Sequence, residues 1–99
     1  MCFSHRLNNI SDFTKVINDI YFNTGLPIIA DADTGFGEGE MCAKTVWEYY
    51  KAGAAGLHLE DQVFPKRCGH LDGKSLIETE DMCKKLKIAC QARDECSNG

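Results

Sequence analysis

Twice in this chain an amphipathic stretch gives way to a short apolar run that turns abruptly acidic. The first run is "LPIIADAD" (26–33) and the second is "AAGLHLED" (54–61). Before the first run, Phe13, Val16, Ile17, Ile20 and Tyr21 recur at i, i+3, i+4, i+7 and i+8. This is one apolar helix stripe, opened by Ser11 as a cap and ended by Gly25, with Pro27 just beyond. Between the two runs, Met41, Thr45, Val46 and Tyr50, flanked by Trp47, define a second helix closed by Gly53. A third begins near Thr79, carries Met82, Leu86 and Ala89 on one stripe, and runs towards Arg93 before "CSNG". Trp47 and the Phe and Tyr residues read as core. Residues 61–75 carry Pro65, Gly69 and Gly73 and read as a long loop.

Helix–strand–helix–strand–helix is a β/α alternation, which demands parallel strands joined by right-handed crossovers. The fold class is α/β. Both strands become acidic at their C-terminal ends, the edge where barrels and doubly wound sheets bind ligands. Of the two, part of a (β/α)8 barrel is the better reading. A closed barrel takes about 250 residues, and two parallel strands cannot cover both faces of a sheet. Residues 1–99 therefore read as one partial barrel domain, an internal piece marginally stable as a lone monomer.

Composition narrows the function classes. A net charge of −4 offers no basic stripe for nucleic acid. No apolar run approaches the ~18 residues of a membrane span. The start, "MCFSHRLNNISDF", lacks a secretory pattern, so a reducing compartment, cytoplasmic or mitochondrial, is expected. Six cysteines in 99 residues fall short of the ~8–10% of disulfide scaffolds. None is spaced C-x₂₋₄-C, so free thiols are expected rather than disulfides or structural zinc.

Three segments carry chemistry. Read as a strand, 29–33 sets Ile29, Asp31 and Asp33 on one face, with the two carboxylates about 7 Å apart. Such a pair repels unless a cation sits between, and Mg²⁺ takes one or two carboxylates while keeping waters. Glu60 could add a third carboxylate, directly or through water. The alternative is that these aspartates cap a helix or sit solvated in a loop. "TGFGEGE" lacks dinucleotide spacing, and Glu38 and Glu40 oppose a phosphate. Its glycines suit a flexible turn that lets backbone approach a ligand. In "KRCGH" (66–70), Lys66, Arg67 and His70 surround Cys68. Positive neighbours favour the thiolate and suit it to proton transfer, the alternative being a basic surface loop. His58 reads as a structural histidine.

"ADADTGFG" (30–37), "GAAGLHLEDQ" (53–62) and "KRCGH" (66–70), in this order and spacing, resemble the isocitrate lyase and phosphoenolpyruvate mutase superfamily, nearest its methylisocitrate lyases. The resemblance runs from about Ser11 to Gly99, and "KRCGH" points to the carbon–carbon lyases rather than the mutases. It implies a (β/α)8 barrel, here the part around barrel strands 3 and 4, in a family commonly homotetrameric. It implies Mg²⁺, with Mn²⁺ as the alternative ion, on Asp31 and Asp33, and Glu60 as an outer metal ligand. Cys68 resembles the catalytic acid/base on a closing loop, with Lys66, Arg67 and His70 as its polar shell. Gly69, with Cys68 and Asp31, resembles the substrate contacts. The substrate implied is a small carboxylic acid, with 2-methylisocitrate cleaved to pyruvate and succinate favoured. Isocitrate, dimethylmalate and oxaloacetate stay open, as do a phosphonomutase-type activity and a non-catalytic or partner-dependent piece of the same fold. The family's serine-glycine loop and "ARTD" motif have no counterpart among these residues, and Arg93 in "QARDE" does not stand in for the latter's arginine.

Overall fold

A computed structural model describes residues 9–63 and 75–97. Its elements run α1 (Ile10–Thr24), β1 (Ile29–Asp31), α2 (Glu40–Ala52), β2 (Gly56–His58) and α3 (Thr79–Ser97). The strands pair in parallel, with Ile29 opposite Gly56, Ala30 opposite Leu57 and Asp31 opposite His58. This is the β/α alternation expected from the sequence: two βα units after a leading helix.

The cap of α1 is Asn9, not Ser11. Its side chain accepts the Asp12 amide at 3.0 Å, while Ser11 lies inside the first turn and its carbonyl accepts from Thr14 Oγ1. Both are good capping residues, and the one whose backbone is extended takes the role. Gly25 ends the helix at φ 68°, its amide returning to the Tyr21 carbonyl at 2.8 Å. Gly53 closes α2 at φ 112°. A Cβ there would come within 2.7 Å of the Tyr21 ring, so glycine sets how closely α1 approaches the end of α2.

Two small cores result. Ile17, Ala30, Ala32, Tyr49 and Ala52 fill the space between α1, β1 and α2. Cys42, Val46, Ala89 and Ala92 seal α2 against α3. Small residues on α3 let its backbone come close enough for Cys42 Sγ to reach the Lys85 carbonyl at 3.8 Å.

The structure corrects three sequence readings. The buried stripe of α3 is Lys85, Ala89 and Ala92, not Met82, Leu86 and Ala89; Leu86 is 45% exposed. The helix also continues through Cys96 to Ser97, whose hydroxyl donates to the Arg93 carbonyl at 2.6 Å. Among the described aromatics only Tyr49 is fully buried, whereas Trp47, Tyr50, Tyr21 and Phe22 are exposed. Ile29, on a sheet of two strands, is 77% exposed. Amphipathic stripes announce which face seeks burial, but two strands and three helices do not cover every such face. Cys42, Cys83, Cys90 and Cys96 are free thiols, as expected. No helix among the described residues is long and apolar enough to cross a membrane.

Candidate active site

The acidic ends of β1 and β2 meet, and the first of them is built differently from an extended strand. β1 stops at Asp31. The Ala32 amide makes one further ladder bond to the His58 carbonyl at 3.1 Å, and the chain then turns, Gly35 N–H donating to Ala32 O at 2.9 Å. Asp33 sits in this turn at φ 55°. Its amide donates to Asp31 Oδ1 at 2.8 Å, a side-chain-closed turn of the kind aspartate favours. The reading that Asp31 and Asp33 share one strand face is therefore corrected: the two are brought together by a left-handed turn. Few non-glycine residues adopt that conformation, and they do so where the surroundings over-determine it.

Glu60 arrives from the second strand end, its amide donating to the Asp33 carbonyl at 2.8 Å. Asp33 Oδ1 and Glu60 Oε2 are both shielded from solvent. His58 Nδ1 lies 3.9 Å from Asp31 Oδ1, its cross-strand partner, with both side chains about half exposed. His58 is thus not a buried structural histidine but a polar neighbour of the acidic edge.

Three side chains outside the acidic segments pin this turn by its carbonyls. Tyr49 Oη donates to Asp31 O at 2.9 Å, Thr45 Oγ1 to Gly35 O at 2.7 Å, and Lys85 Nζ to Thr34 O at 2.8 Å. Phe36, at φ 63°, packs edge-on against Phe13 with ring centroids 5.2 Å apart and leans on Tyr49. The glycine-rich segment is accordingly anchored rather than loose. Gly35, at φ 95°, lies against Cys42, where a Cβ would meet Sγ at 3.4 Å. Sequence reasoning missed Tyr49, Thr45 and Lys85 as supports of the site. The only trace of Lys85 was its place in a stripe otherwise made of small residues.

Burial pushes the Tyr49 phenol well above its ordinary range, and the charges of Asp31 and Asp33 push it further. Burial likewise raises the Cys42 thiol, with Lys85 opposing and Glu38 assisting.

Among the described residues, no group of three His, Cys, Asp or Glu side chains is set to hold a metal ion. What the turn offers is a carboxylate pair with a third carboxylate on the adjoining strand end. Oxygen donors of this kind suit a hard divalent cation that keeps part of its water shell.

Lys66, Arg67, Cys68, Gly69 and His70 lie outside the described residues. The flanks of that segment are tied together: Val63 N–H donates to Ser75 O at 2.9 Å, Ile77 N–H to Asp61 O at 2.8 Å, and Gln62 bridges Leu76. Both ends of the cysteine segment are thus rooted beside Glu60. An apolar groove of about 670 Å³ between α2, β2 and α3 contains none of the acidic residues.

A parallel β/α unit with carboxylates gathered at adjoining strand ends defines an α/β protein of the kind that binds its ligand at the C-terminal edge of the sheet. Comparison with known proteins makes this specific. The profile of the family described as phosphoenolpyruvate phosphomutase matches residues 5–98. The 2-methylisocitrate lyase of Aeropyrum pernix is 49% identical over 87 residues, covering 88% of this chain and 27% of that protein. The 2,3-dimethylmalate lyase of Eubacterium barkeri is 50% identical over 87 residues, covering 88% of this chain and 30% of that protein. A crystal structure of 2,3-dimethylmalate lyase, described as a PEP mutase/isocitrate lyase superfamily member, superposes with a TM-score of 0.80 at 41% identity, over 88% of this chain and 29% of that one. The chain belongs to the phosphoenolpyruvate mutase/isocitrate lyase superfamily, and these relatives are lyases by name. It spans between a quarter and a third of the length of these relatives.

Proposed function

We propose that these residues carry the cation-binding strand ends and the proton-transferring loop of a carbon–carbon lyase acting on a 2-hydroxy or 2-oxo acid, with cleavage of 2-methylisocitrate to pyruvate and succinate favoured. The observation that carries the reading is the arrangement of Asp31, Asp33 and Glu60: two strand ends joined by the Glu60-to-Asp33 hydrogen bond and closed by the Asp33-to-Asp31 turn. The high identity to a 2-methylisocitrate lyase and a 2,3-dimethylmalate lyase supports the reaction class, since both named substrates are branched hydroxy acids.

Asp31 and Asp33 would hold Mg²⁺, with Glu60 as an outer ligand. When bound, the ion supplies Lewis acidity to the hydroxyl and carboxylate of the substrate. The rest falls to the chain's own groups. Tyr49 and Thr45 keep the aspartate turn in one shape, so that the acid is oriented before it reacts. In the cleavage the substrate hydroxyl would give up its proton to solvent and become the pyruvate carbonyl as the carbon–carbon bond breaks. The electron pair left on the departing diacid carbon would take a proton from Cys68. Lys66, Arg67 and His70 would favour the thiolate that remains. Gly69 would let the backbone approach the substrate.

The test replaces the matching segment of the Aeropyrum pernix lyase with residues 11–97 of this chain and follows pyruvate release from 2-methylisocitrate with Mg²⁺. Turnover is expected in the chimera and is expected to vanish in its Asp33→Ala and Cys68→Ser forms. A folded but silent chimera would sink the assignment. The 99-residue chain alone is expected to release little pyruvate, since it spans 27% of that relative.

A further inference from the structure

The mechanism so far uses the carboxylates and the cysteine segment, and leaves unexplained a lysine inside the α2–α3 seam. Lys85 is 4% exposed, on a helix face otherwise formed by Ala89 and Ala92. A charge in such a place costs free energy unless it is well bonded. Among the described residues no carboxylate lies within ion-pair distance of its ammonium. Its hydrogen bond is to a neutral carbonyl, that of Thr34, at 2.8 Å.

Thr34 is itself fully buried, and its hydroxyl makes no hydrogen bond among the described residues. It directly follows Asp33, the non-glycine residue at φ 55° whose amide closes the turn on Asp31. The ammonium therefore grips the backbone one residue past the strained position. Thr45 and Tyr49 secure the carbonyls on either side of it, so Lys85 supplies the remaining tie and draws α3 into the support of the turn.

We infer that Lys85 is a positioning residue for the acidic turn: its buried ammonium fixes the Thr34 carbonyl and so holds Asp33 in the conformation that presents its carboxylate beside Asp31. This rests on the proposal that the two aspartates bind a divalent cation. It makes a counter-intuitive prediction of sign. By charge alone, a cationic side chain near a cation site weakens binding, and removing it should tighten binding. By positioning, removing it should loosen binding.

The test uses the 99-residue chain with Mn²⁺ alone as probe, free Mn²⁺ being read by electron paramagnetic resonance. Amide hydrogen exchange is followed in parallel at residues 33–36 and at the core positions Ile17 and Ala52. Lys85→Met, folded by circular dichroism, is expected to bind Mn²⁺ about tenfold more weakly, the size of one lost hydrogen bond to a charged group. Exchange is expected to quicken at residues 33–36 beyond any change at Ile17 and Ala52, which a merely global loss of stability would not produce. Lys85→Arg, which restores a cationic donor, is expected to recover both. Unchanged or tighter binding together with unchanged exchange at 33–36 overturns the inference. Should Lys85→Met fail to fold, Lys85→Gln is judged by the same criteria. A wild-type chain that binds no Mn²⁺ overturns the cation reading instead, and the exchange comparison then decides the role of Lys85 alone.

Discussion

Replacing Tyr49 with phenylalanine removes one oxygen atom from the centre of the larger core. The ring keeps its contact with Phe36, but the Asp31 carbonyl loses the donor 2.9 Å away. A typical net hydrogen bond is worth about 1 kcal/mol, and a buried acceptor left unsatisfied costs about 1–3 kcal/mol. Since Tyr49 is fully buried, no solvent replaces the hydroxyl, and a loss of about 1–2 kcal/mol is expected. For a domain of this size that lowers Tm by roughly 4–8 °C for each kcal/mol. The control is Tyr50→Phe on the same helix, where the side chain is exposed and the change should stay within about 0.5 kcal/mol. The pH dependence supplies a second, independent check. An unfolded tyrosine ionises near pH 10. In the fold, burial and the two aspartates hold Tyr49 neutral well beyond that. A raised folded-state value means that its contribution is complete below about pH 10 and is lost as the pH climbs, at up to about 1.4 kcal/mol per pH unit. Thermal melts between pH 8 and 11.5 should thus fall more steeply for wild type than for Tyr49→Phe above pH 10. A Tyr49→Phe protein that melts with Tyr50→Phe at neutral pH, and parallels wild type at high pH, would refute the reasoning.

Gly53→Ala places a methyl group 2.7 Å from the Tyr21 ring at a backbone φ of 112°, and a loss of about 2 kcal/mol is expected by urea titration. Gly39, also at positive φ but with nothing within 4 Å of its Cβ position, should lose less on the same change. In the native chain, Cys83 and Cys90 should react readily with a disulfide reagent, while buried Cys42, its thiol raised by burial, should lag until denaturant is added. Mass spectrometry of the labelled peptides reads this order directly, and early labelling of Cys42 would contradict its placement.

Local rules determined a good deal of this protein. The 3.6 and 2 periodicities, with Gly25 and Gly53 as stops, suffice for three helices and two strands, because each depends on neighbours a few residues away, and their alternation makes the strands parallel. The same locality made Asp31, Asp33 and Glu60 visible, since acidic residues directly after apolar runs must fall at strand ends. Tertiary structure decided how those carboxylates meet. A strand drawn from the period of two runs on through Asp33, whereas the folded chain turns at Asp33 because Tyr49, Thr45 and Lys85, 10 to 51 residues away from their acceptors, hold the carbonyls of residues 31, 34 and 35. Nor could periodicity say which apolar residues stay bare, because burial of Ile29 or Trp47 depends on what packs against them and not on the stripe they belong to. The lysine at position 85 shows the limit most plainly. Read along the chain it is one of three lysines on a polar helix; only when α3 docks on α2 does its charge come to lie beneath the aspartate turn, since hydrogen bonds between distant segments exist only once packing has brought them together.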